Sequence, residues 1–420
     1  MENSAIDSNT VLCSFRSNLS LVFSGLLGKS ASVSDGQQES DSSSKLLDAY
    51  DFDNVNQFNK TYSGSTRNII DVLQKDLDKN RYAEQGTQEL DPELLNSPNF
   101  ESYKYTRNQL IEFIISKPLF EVVNQITWSF SLIYSYVEIF EKLNIDEIPT
   151  DILRKFLEKC QSIYNRVPYH NFTHAFSLVH FAYWLITNID SEKCFIKDDI
   201  IAILIACIGH DLNHPGMNNT YLVNTKDPVA MIYNDKSVLE NMHSSLLFAV
   251  LDQEEYNVLA NLSAERSKYI RKVVIEAILC TDMTQHFKMC KQFEGFDKAI
   301  DKEDEVTRSF LVSMIVHAWD ISNLMYEFDH YIRWAFRVQQ EFSDQYETEI
   351  KLGTEKYGKP SEIMKYTDEL GFYKSQLGFI NFIVKPMWKQ LHNFFDFDKV
   401  IMENLDANAE KLEENIKNLQ

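Results

Sequence analysis

Histidine and carboxylate gather in three short stretches of this chain, and their types and spacing suit metal chemistry. The first is Tyr169-His170-Asn171-Phe172-Thr173-His174-Ala175, whose two histidines stand four apart. On a helix that spacing stacks both imidazoles on one face, where they can point into one site. Phe172, Phe176 and Val179 then fall on another side as a core stripe. Alone, such a pair is read more simply as satisfied core or surface histidines. The second stretch is His210-Asp211-Leu212-Asn213-His214-Pro215-Gly216, which ends the apolar run Ile200 to Ile208. Adjacent His and Asp at a helix end can reach one ion, because the backbone leaves helical geometry there. Imidazole nitrogen with carboxylate oxygen suits zinc, and a carboxylate free to bridge suits a second, harder ion such as magnesium. Buried beside apolar sequence, the pair is costly unless it is paired or metallated. The third stretch, His317-Ala318-Trp319-Asp320-Ile321-Ser322-Asn323, again closes an apolar run, Phe310 to Val316. Asp320 is either a helix cap for the next segment or the fourth member of a mixed N and O ligand set.

The elements that must position these residues read as helices. Glycine numbers only 12 in 420 residues, well below ordinary usage, and sheet-rich folds spend glycine on turns. Neither GxGxxG nor GxxxxGK[ST] can be assembled. Amphipathic segments follow one another at Leu110 to Ile115, Val122 to Phe140, Ile152 to Tyr164, Phe172 to Ile186 and Val238 to Leu251. Others run over Ile270 to Leu279, Tyr331 to Phe342, Tyr373 to Trp388 and Val400 to Leu419. The fold class is all-α. In the last segment Leu405, Ala409, Leu412, Ile416 and Leu419 alternate four- and three-residue steps. That pattern suits a short homodimer seam, but a terminal helix packed on its own domain explains it with less.

The first stretch of the chain differs in texture. Ser30 to Lys45 reads SASVSDGQQESDSSSK, too poor in large apolar residues to offset its ordering entropy, and is expected to be disordered. Turn and cap residues in DPELLNSP place a boundary near Leu90, giving an extension at 1–89 and a catalytic domain at 90–420. The net charge of −21 argues against nucleic acid as a partner. A small phosphate is still compatible, since metal ions invert the local sign. No stretch reaches the roughly 18 apolar residues of a membrane span. The six cysteines form no CxxC pair and read as reduced core thiols of a cytoplasmic protein.

The strings YHNFTHA, HDLNHPG, NDKSVLENMH, TDM, HAWDISN and KSQLGFINFIVKPMW occur in this order. Together they resemble the catalytic domain of the class I cyclic-nucleotide phosphodiesterases, a compact multi-helix domain of HD type, from about Leu90 to Leu391. The N-terminal stretch resembles no regulatory module such as GAF or PAS. The resemblance implies a two-ion enzyme that hydrolyses cAMP, cGMP or both to the 5′-monophosphate. It makes His174, His210, Asp211 and Asp320 zinc ligands, with Asp211 also on a second ion, magnesium or manganese. It makes His170 the general acid on the leaving ribose oxygen. It puts Gln376 on the purine edge, Phe379 and Val338 on either side of the base, and Asn323, Tyr331 and Tyr169 in the pocket walls. His214, Glu240, Thr281 and Asp282 surround the second ion. The residue types fit that chemistry: two ions neutralise an anionic phosphodiester and activate water, and a near-neutral histidine protonates a poor leaving group.

Three positions depart from the family pattern: Asn213 where an acid is common, Met242 where a histidine is common, and Trp319 where a small residue is usual. None is an implied ligand, so altered tuning around the metals is expected, with activity retained. The runner-up is a non-catalytic cyclic-nucleotide-binding or scaffold module. A broader HD-type phosphohydrolase is disfavoured by the paired Gln376 and Phe379. Base preference is not readable from these residues.

Overall fold

The computed structural model describes residues 129–296, 301–353 and 357–420. The expected extension at 1–89, the boundary near Leu90 and the segment Leu110 to Ile115 lie outside them, as does the start of Val122 to Phe140. Among the described residues the chain forms fourteen α-helices and no strand. The first six are α1 (Ser129–Lys142), α2 (Thr150–Ile163), α3 (Phe172–Asn188), α4 (Lys197–Gly209), α5 (Asn219–Asn224) and α6 (Pro228–Ile232). Then come α7 (Val238–Leu251), α8 (Ala264–Leu279), α9 (His286–Phe293), α10 (Glu305–Asp320) and α11 (Phe328–Leu352). The chain closes with α12 (Glu369–Phe379), α13 (Lys385–Phe395) and α14 (Val400–Asn418). No helix among the described residues is long and apolar enough to cross a membrane.

The centre of the domain is α4. Every residue from Ile201 to Ile208 is fully buried, so this helix is apolar all round and must be wrapped on every side. Helices α3, α8 and α10 do the wrapping. Gly209 ends α4 where a Cβ would lie 2.6 Å from Leu247 Cδ2, so any larger residue would have to displace the Leu247 side chain of α7.

A buried ion pair sets the register of the wrapped helices. Asp199, in the first turn of α4, accepts from Ile196 N at 2.8 Å and from Arg308 Nε of α10 at 2.9 Å. Tyr269 of α8 donates to the same carboxylate at 2.5 Å. From Asp199 to His210 is eleven residues, and from Arg308 to Asp320 is twelve. At a helical rise of 1.5 Å both ligands therefore stand about 17 Å from the pair, level with each other. Two helix C-termini, those of α4 and α10, end there, and their partial negative charge favours a cation.

Three local expectations are refined. His170 and His174 do not share a helical face, because α3 begins only at Phe172. Asn171 caps it, its side chain accepting from Thr173 N and His174 N. The segment Tyr373 to Trp388 is not one regular helix: Ile380–Val384 forms a π-helical turn between α12 and α13. The terminal helix α14 packs on its own domain, with Leu405, Ala409, Leu412 and Ile416 buried and Leu419 exposed. Its Asn408 is buried as well, and Nδ2 donates to the carbonyls of Leu324 and Tyr326 at 2.9 and 2.7 Å. That bond holds α14 over the turn that follows Asp320.

Candidate metal centre and active site

Three buried helices deliver four donors to one point. His174 comes from the first turn of α3, His210 and Asp211 from the end of α4, and Asp320 is the last residue of α10. Asp320 therefore does not cap the following turn. Tyr164 Oη donates to Ile208 O at 2.9 Å and closes one of the carbonyls left open where α4 stops. His174 Nε2 lies 2.9 Å from Asp320 Oδ1, 3.2 Å from His210 Nε2 and 3.5 Å from Asp211 Oδ2. His210 Nε2 lies 3.0 Å from Asp211 Oδ2 and 3.3 Å from Asp320 Oδ1.

These distances fit a metal ion. Four ligands at zinc–nitrogen or zinc–oxygen lengths around a tetrahedron stand about 3.3 Å from one another, and the five separations scatter on both sides of that value. The donor chemistry agrees. His210 Nδ1 donates to Cys207 O at 3.0 Å, which leaves Nε2 as the lone-pair nitrogen in the neutral ring. Asp211 Oδ2 is buried and takes part in no well-formed hydrogen bond, although His210 Nε2 is only 3.0 Å away. The contact is close but badly aimed for a proton, as expected of two atoms that face a shared cation.

The protonation pattern points the same way. Burial lowers His210, but the Asp211 and Asp320 carboxylates outweigh it and hold the ring well above its usual value. Burial raises both carboxylates, yet the adjacent imidazoles leave each well below its ordinary range. A proton thus balances the cluster where a metal ion would do so. Burial lowers His174, with Asp320 opposing, so this ring is neutral and free to ligate.

Beside the cluster stands a second group made of His170, His214 and Glu341. Glu341, on α11, accepts from Tyr169 N at 2.6 Å and His170 N at 2.9 Å through Oε1. Its Oε2 takes His170 Nδ1 at 2.5 Å. Burial would lower His170, but Glu341 and then Asp211 raise it to about 9. Burial would raise Glu341, but the His170 charge and hydrogen bonds pull it down to about 2. His170 stacks on His214 with ring centroids 3.9 Å apart and planes 23° from parallel. His214 in turn stacks on His243 at 5.6 Å. Burial lowers His214, and the charge on His170 lowers it further.

A third group joins Asp211 to His214 and His243, so Asp211 links it to the four-donor cluster and His214 links it to the Glu341 group. His243 donates from Nδ1 to Leu212 O at 2.6 Å and presents Nε2 to Asp211 Oδ1 at 3.7 Å. Burial lowers its pKa to about 4. Glu240 is pushed up to about 8 by burial and by the nearby Asp282. Asn219 Nδ2 holds its two oxygens at 3.2 and 3.0 Å. Thr281 and Asp282 engage local groups: Thr281 Oγ1 donates to Ile278 O, and Asp282 accepts from Ser237 Oγ and Thr284 N.

The remaining expected residues stand on α11, on α12 and in the turns before α3 and after α10. Tyr331 is fully buried and its Oη donates to Gln376 Oε1 at 3.0 Å. Val338 and Phe379 are partly buried against the core. Asn323 is buried with Oδ1 accepting no hydrogen bond. Tyr169 donates from Oη to Asp320 O at 3.3 Å and lies 4.5 Å, centroid to centroid, from His174.

Two residues of these clusters, Glu341 and His243, stand outside the expected set. Glu341 stands on the buried stripe of α11, where Tyr331, Trp334, Ala335 and Gln345 also point inward. A carboxylate on such a stripe demands a charged partner, and that was the available signal. His243 stands beside Met242 on the buried face of α7. The three departures fall off the convergent donors. Asn213 sits at φ 63°, a left-handed conformation that asparagine tolerates well, and accepts from Asn165 Nδ2 at 3.1 Å. Trp319 is buried 6.2 Å from the Phe181 ring, in the layer beneath the site.

A wholly helical domain that converges imidazoles and carboxylates at helix ends defines a helical metal-site class. The family described as 3′5′-cyclic nucleotide phosphodiesterase matches residues 169–405. The chain belongs to that family, which is metal-dependent. It is 30% identical over 282 residues to 3′,5′-cyclic-nucleotide phosphodiesterase regA of Dictyostelium discoideum, covering 65% of this chain and 35% of the relative. It is 33% identical over 247 residues to a mouse dual specificity calcium/calmodulin-dependent 3′,5′-cyclic nucleotide phosphodiesterase 1B, covering 58% and 45%. The chain thus spans well under two thirds of these relatives' lengths. The phosphodiesterase domain of the RhoPDE fusion protein from Salpingoeca rosetta superposes with TM-score 0.67 at 32% identity, over 74% of this chain and 99% of that one.

Proposed function

We propose that this chain hydrolyses the phosphodiester of 3′,5′-cyclic nucleotides, cAMP or cGMP or both, to the 5′-monophosphate. The convergence of His174, His210, Asp211 and Asp320 beside the Glu341-held His170 carries this reading. In it, the four converging residues hold zinc. Asp211 also faces a second ion, magnesium or manganese, with His214, Glu240, Thr281 and Asp282 around it. When bound, the two ions supply charge neutralisation of the phosphate and activation of water.

The chain's own residues do the rest. Glu341 occupies His170 Nδ1, so the transferable proton sits on Nε2, and the carboxylate keeps that proton on the ring at neutral pH. His170 delivers it to the ribose oxygen as the P–O bond breaks. Gln376, oriented by Tyr331, reads the purine edge, and Asn323 stands in the pocket wall. Phe379 and Val338 flank the flat base. Residues 90–420 form the catalytic domain and 1–89 an extension, in a cytoplasmic protein whose Cys160 and Cys207 are free and buried.

The test is product identity. Purified chain supplied with divalent metal is incubated with cAMP and with cGMP, and the 5′- and 3′-monophosphates are separated. Formation of 5′-monophosphate supports the reading, and the ratio of rates gives the base preference. Well-folded, metal-loaded protein that turns over neither nucleotide sinks it in favour of a binding module.

A further inference from the structure

Helix α11 carries a line of buried polar side chains at four-residue spacing, Glu341, Gln345 and Glu349, each 3% exposed or less. At that spacing they share one face. The first holds His170 through Nδ1. The second holds a different loop. Gln345 Oε1 accepts from Asn218 N at 2.9 Å, and its Nε2 donates to Asn218 Oδ1 at 3.0 Å. The third fixes the second: Glu349 Oε1 accepts from Gln345 Nε2 at 2.7 Å and from Tyr357 Oη at 2.6 Å. Its Oε2 accepts from Ser361 N at 2.7 Å.

Asn218 ends the short loop that begins at His214. Within it, Gly216 has φ +71°, and a Cβ there would lie 3.2 Å from Val167 Cγ1 and 3.8 Å from Glu341 Cδ. The loop is thus packed tightly against Val167 of the segment before α3 and touches the helix that anchors it. Gly216 N donates to His214 Nδ1 at 3.0 Å and fixes that ring within the loop. Asn219, the next residue, ties the far side of the loop to α7 by accepting from Leu239 N at 2.8 Å. Successive turns of α11 therefore bring the His170 loop and the His214 loop together, and the two imidazoles meet face to face between them.

We infer that Gln345 is a positioning residue of the hydrolytic site: through Asn218 it holds His214 against His170 and so fixes the orientation of the proton donor. This rests on the reading of His170 as the acid. A side chain that merely filled space here would be replaceable by methionine, which matches its length and removes its hydrogen bonds.

The experiment uses the full chain loaded with metal, as wild type, Gln345→Met and Gln345→Glu. Gln345→Met is expected to lower kcat about 10- to 100-fold, in line with the cost of small misplacements. KM for the cyclic nucleotide and the metal content should stay near wild type, and the alkaline limb of the pH–rate profile should move. Gln345→Glu keeps the shape but sets a second carboxylate against Glu349, beside Tyr357, Ser361 N and Asn218. Two carboxylates so placed must share a proton. Its activity relative to wild type should therefore recover as pH falls, while that of Gln345→Met should not. An activity-free reading comes from ¹⁵N-histidine NMR. The His170 ring signals, assigned by their loss in His170→Ala, should shift in Gln345→Met. Wild-type kcat and pH profile in Gln345→Met, a loss that merely tracks folded fraction or metal content, or unmoved His170 signals would each overturn the inference. If wild type itself turns over neither cAMP nor cGMP, the functional reading fails, and the NMR arm still decides the positioning claim.

Discussion

Replacing Glu341 by glutamine removes one charge and leaves the shape of the side chain. In the wild type this carboxylate makes three hydrogen bonds to the Tyr169-His170 segment and heads the influences that raise His170 against burial. The ring is raised from the ordinary 6.5 to about 9 because Glu341, Asp211 and Asp320 together outweigh burial. Losing the nearest of the three should bring the alkaline limb of the pH–rate profile down by about one to two pH units. A glutamine amide also donates to Nδ1 of the neutral ring, which favours the form that has no acidic proton to give. At neutral pH kcat should fall about 100-fold, the low end of what a general acid contributes.

Stability follows from the same pair. His170 is raised, so its contribution is complete below pH 6.5 and is lost as pH rises through about 9. Glu341 is lowered, so its contribution is complete above pH 4.5 and is lost as pH falls through about 2. The interaction is one and the same, with a ceiling of about 3 kcal/mol at about 1.4 kcal/mol per pH unit. The assay is kcat/KM from pH 5 to 10, with thermal melts at each pH. An alkaline limb that stays put in Glu341→Gln, with kcat near wild type, would refute the reasoning.

His170→Ala should lose about 10²- to 10⁴-fold on cAMP or cGMP but far less on a nitrophenyl phosphodiester, whose leaving group needs no proton. Comparing the two substrates in one preparation checks this. Tyr331→Phe removes the hydroxyl that holds Gln376 Oε1. It should raise KM and flatten the ratio of cAMP to cGMP turnover, read from steady-state kinetics. Asn408→Leu leaves the carbonyls of Leu324 and Tyr326 without their donor. Chemical denaturation should show a loss of about 1–3 kcal/mol per orphaned carbonyl.

How far the sequence reached depended on whether a residue announced its partner. His210 and Asp211 were legible because an apolar run ends directly on them, and a buried charge there requires a counter-charge or a metal. Asp320 was legible for the same reason, and the structure brings it to the same point from a separate helix. The place of His170 near the cluster was legible, but its local geometry was not. The cap at Asn171 starts the helix two residues later than the histidine spacing suggested, and Glu341 then holds the loop. Glu341 lies 171 residues from His170, and no local pattern links them. Only its place on a buried stripe marked it. The buried pair Asp199–Arg308, which levels the ends of α4 and α10, was hidden for a similar reason: it joins residues 109 apart. The all-helical class was readable from scarce glycine and repeated amphipathic segments. The π turn at Ile380–Val384 was not, since nothing in the run INFIV interrupts a helical pattern.

The most direct test of a metal-dependent phosphodiesterase is turnover measured against metal content. Wild type and Asp320→Ala are each assayed on cAMP and cGMP as purified, after exhaustive chelation, and after addition of zinc with magnesium or manganese, with bound metal counted at every step. The four-donor cluster predicts that wild-type activity disappears with the metal and returns with it, while Asp320→Ala binds the first ion weakly and recovers little. Full turnover by metal-free wild type, or full metal content and activity in Asp320→Ala, would contradict it.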